Sequence, residues 1–284
     1  MGRISLISSI KRYVKGLQPI YVYPNVVELS TNTLLRDKNA VVIGASRGIG
    51  KAISETFIKS GATVVAIAKN ESNLLKAKDE IRSEKYLPYT WDINELNDLP
   101  HKIKEISSKF TNREEIDILV IAAGVKNGQE QRYWDFSQED FNETISVNVK
   151  APFFITREII KHMISKDIKG HIVNVVGIKG FIGEASPYSI SKFGMTSLTK
   201  GLARMFADKG IVINGVAPGG TMTDMANLKT DNYFHPATAN GRLASPKEIA
   251  NVVLFLASDL GNNLVGSIIV SDGGEMLQYN NNRY

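Results

Sequence analysis

The sequence predicts a single α/β domain with a Rossmann-type, doubly wound parallel sheet and helices on both faces. Two observations carry this prediction. Short apolar runs rich in Val and Ile alternate with longer helix-like stretches, and no repeat or Pro/Ser-rich linker divides the 284 residues. Strands separated by helices form right-handed crossovers and pair in parallel. Ligands of such sheets bind beyond the carboxyl ends of the strands, so we expect the chemistry in those loops.

The predicted elements follow one another in regular order. Strand-like runs lie at residues 40–44, 62–68, 117–122, 171–176, 211–216 and 267–270. Helix-like stretches lie at residues 48–60, 71–83, 138–165, 187–208 and 246–257. We therefore expect the Rossmann-type domain over residues 37–276, after an extension over residues 1–36 and before a polar tail over residues 277–284.

Composition excludes several kinds of site. The chain has no cysteine, and its four histidines lack metal-ligand spacing, so we expect neither thiolate chemistry nor a metal site. The net charge is +5, and residues 1–38 hold +4 of it because six basic residues there outweigh two acidic ones. The rest of the chain is nearly neutral and suggests no basic face for nucleic acid.

The extension contains a pattern typical of a short basic amphipathic helix. Ile4, Ile7, Ile10, Val14 and Leu17 recur at three- and four-residue steps between basic side chains. The segment is too short and too charged to span a membrane. We favour packing against its own domain or a partner subunit, while docking of residues 3–17 on a membrane surface and a cleaved presequence remain alternatives. The expected location is cytoplasmic, peripheral to a membrane if the segment docks there.

The first strand leads into a glycine-rich turn, residues 44–50, and then into a helix. Glycines let the backbone approach a pyrophosphate, and the start of the helix offers free N–H groups and partial positive charge. The spacing is G-x-x-x-G-x-G, so a merely tight loop is the alternative. The turn residues expected to contact a dinucleotide are Gly44, Ser46, Arg47, Gly48, Ile49 and Gly50.

The end of the second strand indicates which dinucleotide is bound. A carboxylate about 20 positions beyond the turn binds the ribose 2′-hydroxyl of NAD. This chain has Ala68 and Lys69 there, and Lys69 with Arg47 would flank a 2′-phosphate with two cations. We therefore expect NADP(H), the alternative being that both side chains are ordinary surface charges.

A Tyr and a Lys four residues apart open the stretch 187–208. Tyr188 and Lys192 share one helix face, so the phenol and the ammonium point into one space. An ammonium and an oxidised nicotinamide both stabilise a phenolate. Alone, this pattern is a weak indication of catalysis.

Together, the motifs resemble the short-chain dehydrogenase/reductase family over about residues 35–275, most closely its 3-oxoacyl-carrier-protein reductase-like members. The resemblance implies a dimer or tetramer and hydride transfer between NAD(P)H and a carbonyl or alcohol. The motifs that carry it are the glycine turn, Asp92-Ile93, Ala122-Ala123-Gly124, Asn148, Tyr188 with Lys192, Pro218-Gly219 and the closing Ser271-Asp272-Gly273-Gly274.

The resemblance also implies roles for single residues. Tyr188 would protonate the carbonyl oxygen, Lys192 would lower the phenol pKa and hold the nicotinamide ribose, and Asn148 would position a proton-relay water. The further cofactor contacts it implies are Asp92 at the adenine with Ile93, Ala123 with Gly124, Pro218 with Gly219 and the Thr221 backbone at the nicotinamide, and Thr223 near the pyrophosphate.

Three features depart from the family's pattern. Ile43 replaces the usual Thr, and Ile121-Ala122 replaces two Asn; both changes predict a drier packing of the cofactor loop. Gly177 replaces the usual substrate-orienting Ser, a loss worth roughly 10²- to 10³-fold in rate if nothing compensates. The polar group that Gly177 lacks would come from Ser186, from Lys179 or from the substrate itself. The alternative is that Gly177 makes room for a bulky substrate. Ser186 also suits a helix cap.

The predicted function is reduction of a small-molecule or carrier-bound carbonyl by NADPH. The segment 221–241, where the family has its substrate lid, is polar, whereas the wall at Phe181 and Ile182 is apolar, so the substrate stays open. One alternative is an NADP(H)-binding partner or scaffold subunit with little reductase activity. Another is an epimerase or dehydratase that works through a transient ketone.

Overall fold

The computed structural model describes residues 33–127, 132–223 and 232–277. Within these ranges, seven strands form one parallel sheet in the order β3-β2-β1-β4-β5-β6-β7. The strands are β1 (Asn39–Ile43), β2 (Thr63–Ala68), β3 (Tyr86–Thr90), β4 (Ile118–Ile121), β5 (His171–Val175), β6 (Val212–Pro218) and β7 (Ile268–Ser271). The predicted Rossmann-type sheet is confirmed.

Helices cover both faces of the sheet. They are α1 (Gly48–Lys59), α2 (Glu71–Ile81), α3 (Leu99–Ser107), α4 (Gln138–Ile145), α5 (Ala151–Ser165), α6 (Pro187–Phe206) and α7 (Pro246–Ala257). Alternate strand residues point to opposite faces, so Val41 packs with α3, α5 and α6, and Val42 packs with α1, α2 and α7. The expected continuous stretch 138–165 is divided by a π-helical segment, Ser146–Lys150.

The strand-like and helix-like runs of the sequence missed β3 and α3. Strand β3 contains Pro88, which removes a backbone donor and argues against a strand. The structure places β3 at the edge of the sheet, where one side of the strand needs no ladder partner. Its burial also alternates only partly, so its periodicity is weak.

The domain begins earlier than the expected residue 37. Leu35 is buried in the core, and its backbone N–H donates to the carbonyl oxygen of Ser60. The predicted amphipathic segment 3–17, residues 224–231 of the predicted lid and all of the predicted tail except Leu277 lie outside the described residues. No helix in the described ranges is both long and apolar enough to cross a membrane.

The sheet order decides where a ligand binds. The chain crosses from β1 outward to β3, then returns to place β4 on the other side of β1. Loops after β1 and β4 therefore diverge and leave a crevice at their carboxyl ends. The glycine turn follows β1 and forms one wall of that crevice.

Candidate active site

The glycine turn is built for close approach to a ligand. Gly44 and Gly48 have φ values of +85° and +53°, which favour glycine. A Cβ on Gly50 would overlap the carbonyl oxygen of Gly44, and a Cβ on Gly44 would lie 2.6 Å from the Ala123 nitrogen. The Tyr86 hydroxyl, from β3, donates to the Ala45 carbonyl oxygen behind the turn. Any side chain at Gly44 or Gly50 would therefore disturb the turn.

One cleft of about 460 Å³ runs along the carboxyl ends of the strands. All the cofactor contacts expected from the sequence line it: Gly44, Ser46, Arg47, Gly48, Ile49, Gly50, Lys69, Asp92, Ile93, Ala123, Gly124, Tyr188, Lys192, Pro218, Gly219, Thr221 and Thr223. Thr223 lies against the turn, since a Cβ on Gly48 would be 3.3 Å from its methyl carbon. Ile43 and Ala122 also line the cleft, as the expected drier packing requires.

Tyr188 and Lys192 face each other in this cleft. The Lys192 Nζ lies 5.4 Å from the centre of the Tyr188 ring and donates to the Val175 carbonyl oxygen at 3.3 Å. Burial lowers the pKa of Lys192 to about 8, because the ammonium loses hydration. The Gly124 backbone lies close by, with a Cβ position 3.5 Å from the same Nζ.

The phenol pKa departs from the expectation. Burial first, and the negative charge of Glu184 second, raise the pKa of Tyr188 to about 12. In the protein without a cofactor, Lys192 therefore does not bring the phenol pKa below its ordinary value. The dry surroundings disfavour both the phenolate of Tyr188 and the ammonium of Lys192. A phenol with so high a pKa stays protonated at neutral pH and suits a proton donor.

Asn148 lies behind the cleft wall and not in it. Its Nδ2 donates to the Val125 carbonyl oxygen at 2.9 Å and to the Ser191 Oγ at 3.0 Å, and its Oδ1 accepts from the Val125 N–H at 2.8 Å. Both side-chain donors are thus used within the protein. The side chain ties the loop after β4 to helix α6, and it offers no donor to the expected relay water.

Gly177 borders the phenol of Tyr188. A Cβ on this residue would lie 3.9 Å from the Tyr188 hydroxyl oxygen, which is where a substrate-orienting side chain belongs. Its φ of +90° and ψ of 152° fall in a region that is essentially restricted to glycine. Position 177 therefore lacks the usual serine and also has a backbone conformation that serine does not adopt.

Restoring the hydroxyl with Gly177→Ser is expected to destabilise the fold by about 1–3 kcal/mol, because the loop must leave this conformation or hold a strained serine. Gly183→Ser is the matched control, since Gly183 is in the same loop, has no positive φ, and has nothing within 4 Å of its Cβ position. Urea unfolding of both variants measures the difference. Equal stabilities would contradict the assigned backbone strain.

The two side chains considered as replacements for the serine are already engaged. The Ser186 Oγ caps α6 by accepting from the Ser189 N–H at 3.2 Å. The Lys179 Nζ pairs with Glu184 at 2.5 Å. Sequence reasoning overlooked a third polar group: the Lys126 Nζ lies 5.7 Å from the Tyr188 ring centre, and this residue lines the cleft. The sequence could have indicated Lys126, because it directly follows Gly124-Val125.

Glu275 was also overlooked. It lines the cleft, and its Oε2 accepts from the Gly220 N–H at 2.9 Å. The signal was its place directly after the closing Asp272-Gly273-Gly274 motif. The described residues contain no cluster of three or more His, Cys, Asp or Glu suited to a metal.

Comparison with known proteins decides the family. The model of the short chain dehydrogenase family matches residues 38–233. The chain belongs to this family. Such membership makes it an oxidoreductase that uses a nicotinamide cofactor.

This short-chain dehydrogenase is similar to curated reductases over most of its length. It is 34% identical over 248 residues to the 3-oxoacyl-[acyl-carrier-protein] reductase of Thermotoga maritima, covering 84% of this chain and 98% of that protein. It is 33% identical over 249 residues to the protein of the same name from Rickettsia bellii, covering 86% and 98%. The predicted resemblance to this branch is confirmed.

Solved structures agree on the fold. A short-chain type dehydrogenase/reductase from Mycobacterium marinum is 28% identical with a TM-score of 0.78, covering 87% of this chain and 98% of its own. A ribose-5-phosphate isomerase from Brucella melitensis is 26% identical with a TM-score of 0.76, covering 86% and 95%. Because one fold carries different chemistries, the site residues must decide the reaction of this short-chain dehydrogenase.

The site fits a nicotinamide dinucleotide. The glycine turn lines the cleft and leads into the N-terminus of α1, where free N–H groups suit a pyrophosphate. The cleft continues from there to Tyr188, so a bound cofactor would reach from the turn to the phenol.

Proposed function

We propose that this short-chain dehydrogenase reduces a carbonyl to an alcohol with NADPH. The observation that carries the proposal is the meeting of Tyr188 and Lys192 in the cleft that begins at the glycine turn. The names of its relatives support a 3-oxoacyl substrate bound to a carrier. A small ketone would meet the same groups.

The proposed reaction divides the work among named residues. The cofactor supplies the hydride when bound. Tyr188 hydrogen-bonds the substrate oxygen and donates its proton there, since its phenol is protonated at neutral pH. Lys192 holds the nicotinamide ribose, and Asn148 keeps the loop after β4 against α6. Lys126 adds positive charge beside the phenol, where Gly177 offers no hydroxyl.

Proton balance follows from these roles. A bound nicotinamide would supply the hydride that the carbonyl carbon accepts, and the proton of Tyr188 completes the alcohol. Tyr188 then regains a proton from solvent.

The proposed preference for NADP(H) rests on Arg47 and Lys69, both of which line the cleft near the glycine turn. We expect NADPH to bind at least about tenfold more tightly than NADH, or about 1.4 kcal/mol. The double variant Arg47→Ser, Lys69→Ala should bind both about equally, and Lys104→Ala, exposed on α3, should change neither affinity. Fluorescence titration of the three proteins with NADPH and with NADH measures all six affinities. Equal affinities in the unaltered protein would refute the assigned cofactor choice.

The direct test is oxidation of NADPH in the presence of acetoacetyl thioesters, keto sugars and cyclic ketones, followed by nicotinamide absorbance. Turnover of any of these supports the reductase. The second candidate, a cofactor-binding subunit with little activity, is favoured by Gly177. Tight NADPH binding with no turnover on any substrate class would support that candidate.

We also propose a homodimer or homotetramer. Helices α5 and α6 expose large apolar side chains, namely Phe153, Ile190 and Phe193, with 45%, 51% and 43% of their surface accessible. Exposed apolar groups on two helices that cover the same face of the sheet are typical of self-association surfaces.

A further inference from the structure

The Glu275 carboxylate lies against the loop that follows β6. Its Oε2 accepts a hydrogen bond from the Gly220 N–H at 2.9 Å. A Cβ placed on Gly219 would lie 2.7 Å from the same oxygen. Because neither glycine has a side chain, nothing on this stretch of loop separates the carboxylate from the cleft that it lines.

This loop borders the space in front of the catalytic phenol. A Cβ on Gly177 would lie 3.9 Å from both the Tyr188 hydroxyl oxygen and the Pro218 carbonyl oxygen, so the phenol and the end of β6 face the same space. A carbonyl that touches Tyr188 must receive its hydride there. The nicotinamide ring therefore belongs at this end of the cleft, beside Pro218 and within reach of the charge on Glu275.

Glu275 is the acidic side chain that lines this end of the cleft, because Glu184, whose charge acts on the phenol, is not in the lining and pairs with Lys179. The carboxylates that line the cleft are Asp92 and Glu275, which follow β3 and β7, the two edges of the sheet. Glu275 forms no ion pair with any residue in the described ranges. Its negative charge is thus available to a ligand at the nicotinamide end.

The two redox forms of the cofactor differ in charge at one place. The oxidised nicotinamide ring carries a positive charge, and the reduced ring is neutral. A carboxylate at this end of the cleft attracts only the oxidised ring, and at an effective dielectric constant of about 20 and a separation of about 12 Å this amounts to about tenfold in affinity.

We propose that Glu275 selects the redox state of the cofactor: it strengthens binding of the oxidised dinucleotide and thereby favours hydride transfer from cofactor to substrate on the protein. A bound reduced nicotinamide would supply the electron pair as hydride to the carbonyl carbon, and Tyr188 supplies the proton. The inference rests on the proposed function for the place of the nicotinamide ring. It adds the direction of hydride transfer that the bound cofactor favours.

The decisive variant is Glu275→Gln, because a glutamine oxygen can still accept from the Gly220 N–H while the charge is removed. We expect the Kd of NADP⁺ to rise about tenfold and that of NADPH to stay within about twofold. The potential of the bound couple then rises by about 30 mV, the two-electron equivalent of a tenfold ratio. Glu275→Asp retains the charge, so its ratio of the two Kd values should remain within about twofold of the unaltered protein.

Asp92→Asn is the matched control. It removes a charge from the other end of the cleft, where the two forms are identical, so it should change both affinities by the same factor. If Glu275→Gln also leaves the Kd ratio unchanged, Glu275 does not select the redox state, and the proposed function stands.

If NAD⁺ and NADH bind more tightly than the phosphorylated pair, the same titrations are made with them. That result alters the cofactor choice alone. If neither pair binds the unaltered protein, the proposed function and the role of Glu275 both fail.

Discussion

Tyr188→Phe is expected to lower kcat by about 10³-fold, within the range contributed by a positioned proton donor. The substitution removes only the hydroxyl oxygen, which is the atom that borders the space beside Gly177. Cofactor affinity should stay within about twofold, because the ring and the Lys192 contact remain. Single-turnover oxidation of NADPH with an accepted substrate, together with a fluorescence titration of NADPH, measures both quantities.

Tyr133→Phe provides the control for this variant. Tyr133 is 64% exposed and does not line the cleft, so its hydroxyl should be dispensable. If Tyr188→Phe retained full turnover, Tyr188 would not be the proton donor. Loss of both turnover and cofactor binding would instead indicate that the variant disturbs the cleft.

Gly50→Ala is expected to weaken NADPH binding by more than about 100-fold and to destabilise the fold by about 3 kcal/mol, at the upper end for an overpacked interior site. The new Cβ would overlap the Gly44 carbonyl oxygen, which is backbone and has no room to move while β1 is paired. The glycine turn must therefore open or α1 must shift. Urea unfolding and an NADPH titration test the two effects.

Gly201→Ala is the matched control on an unconstrained glycine. Gly201 lies within α6, is exposed, and has nothing within 4 Å of its Cβ position. Alanine there should stabilise the fold by up to about 1 kcal/mol through helix propensity. A Gly50→Ala variant as stable as the unaltered protein would show that the turn adapts to a side chain.

The residues near Tyr188 show why a motif predicts a site and not its chemistry in detail. Tyr188 and Lys192 were found from their spacing, since residues four apart share a helix face. Their pKa values depend on burial and on Glu184, which reaches the phenol through the fold of the loop. The lowering of the phenol pKa by Lys192 together with an oxidised nicotinamide stays a prediction.

The sequence by itself determined the parallel α/β sheet, the glycine turn and the placement of Tyr188 and Lys192 on one helix face, because each of these follows from local periodicity or from residue types at fixed spacing. It missed β3 because an edge position tolerates Pro88, and edges are known only once strands are paired.

Tertiary structure decided the contacts between residues far apart in the chain. Asn148 uses its amide to hold Val125 and Ser191, Lys126 lies beside the Tyr188 ring, and Glu275 reaches Gly220 across 55 positions. The positive φ of Gly177 belongs to the same group. Such features arise from how strands and loops pack against one another, and no short sequence pattern encodes that packing.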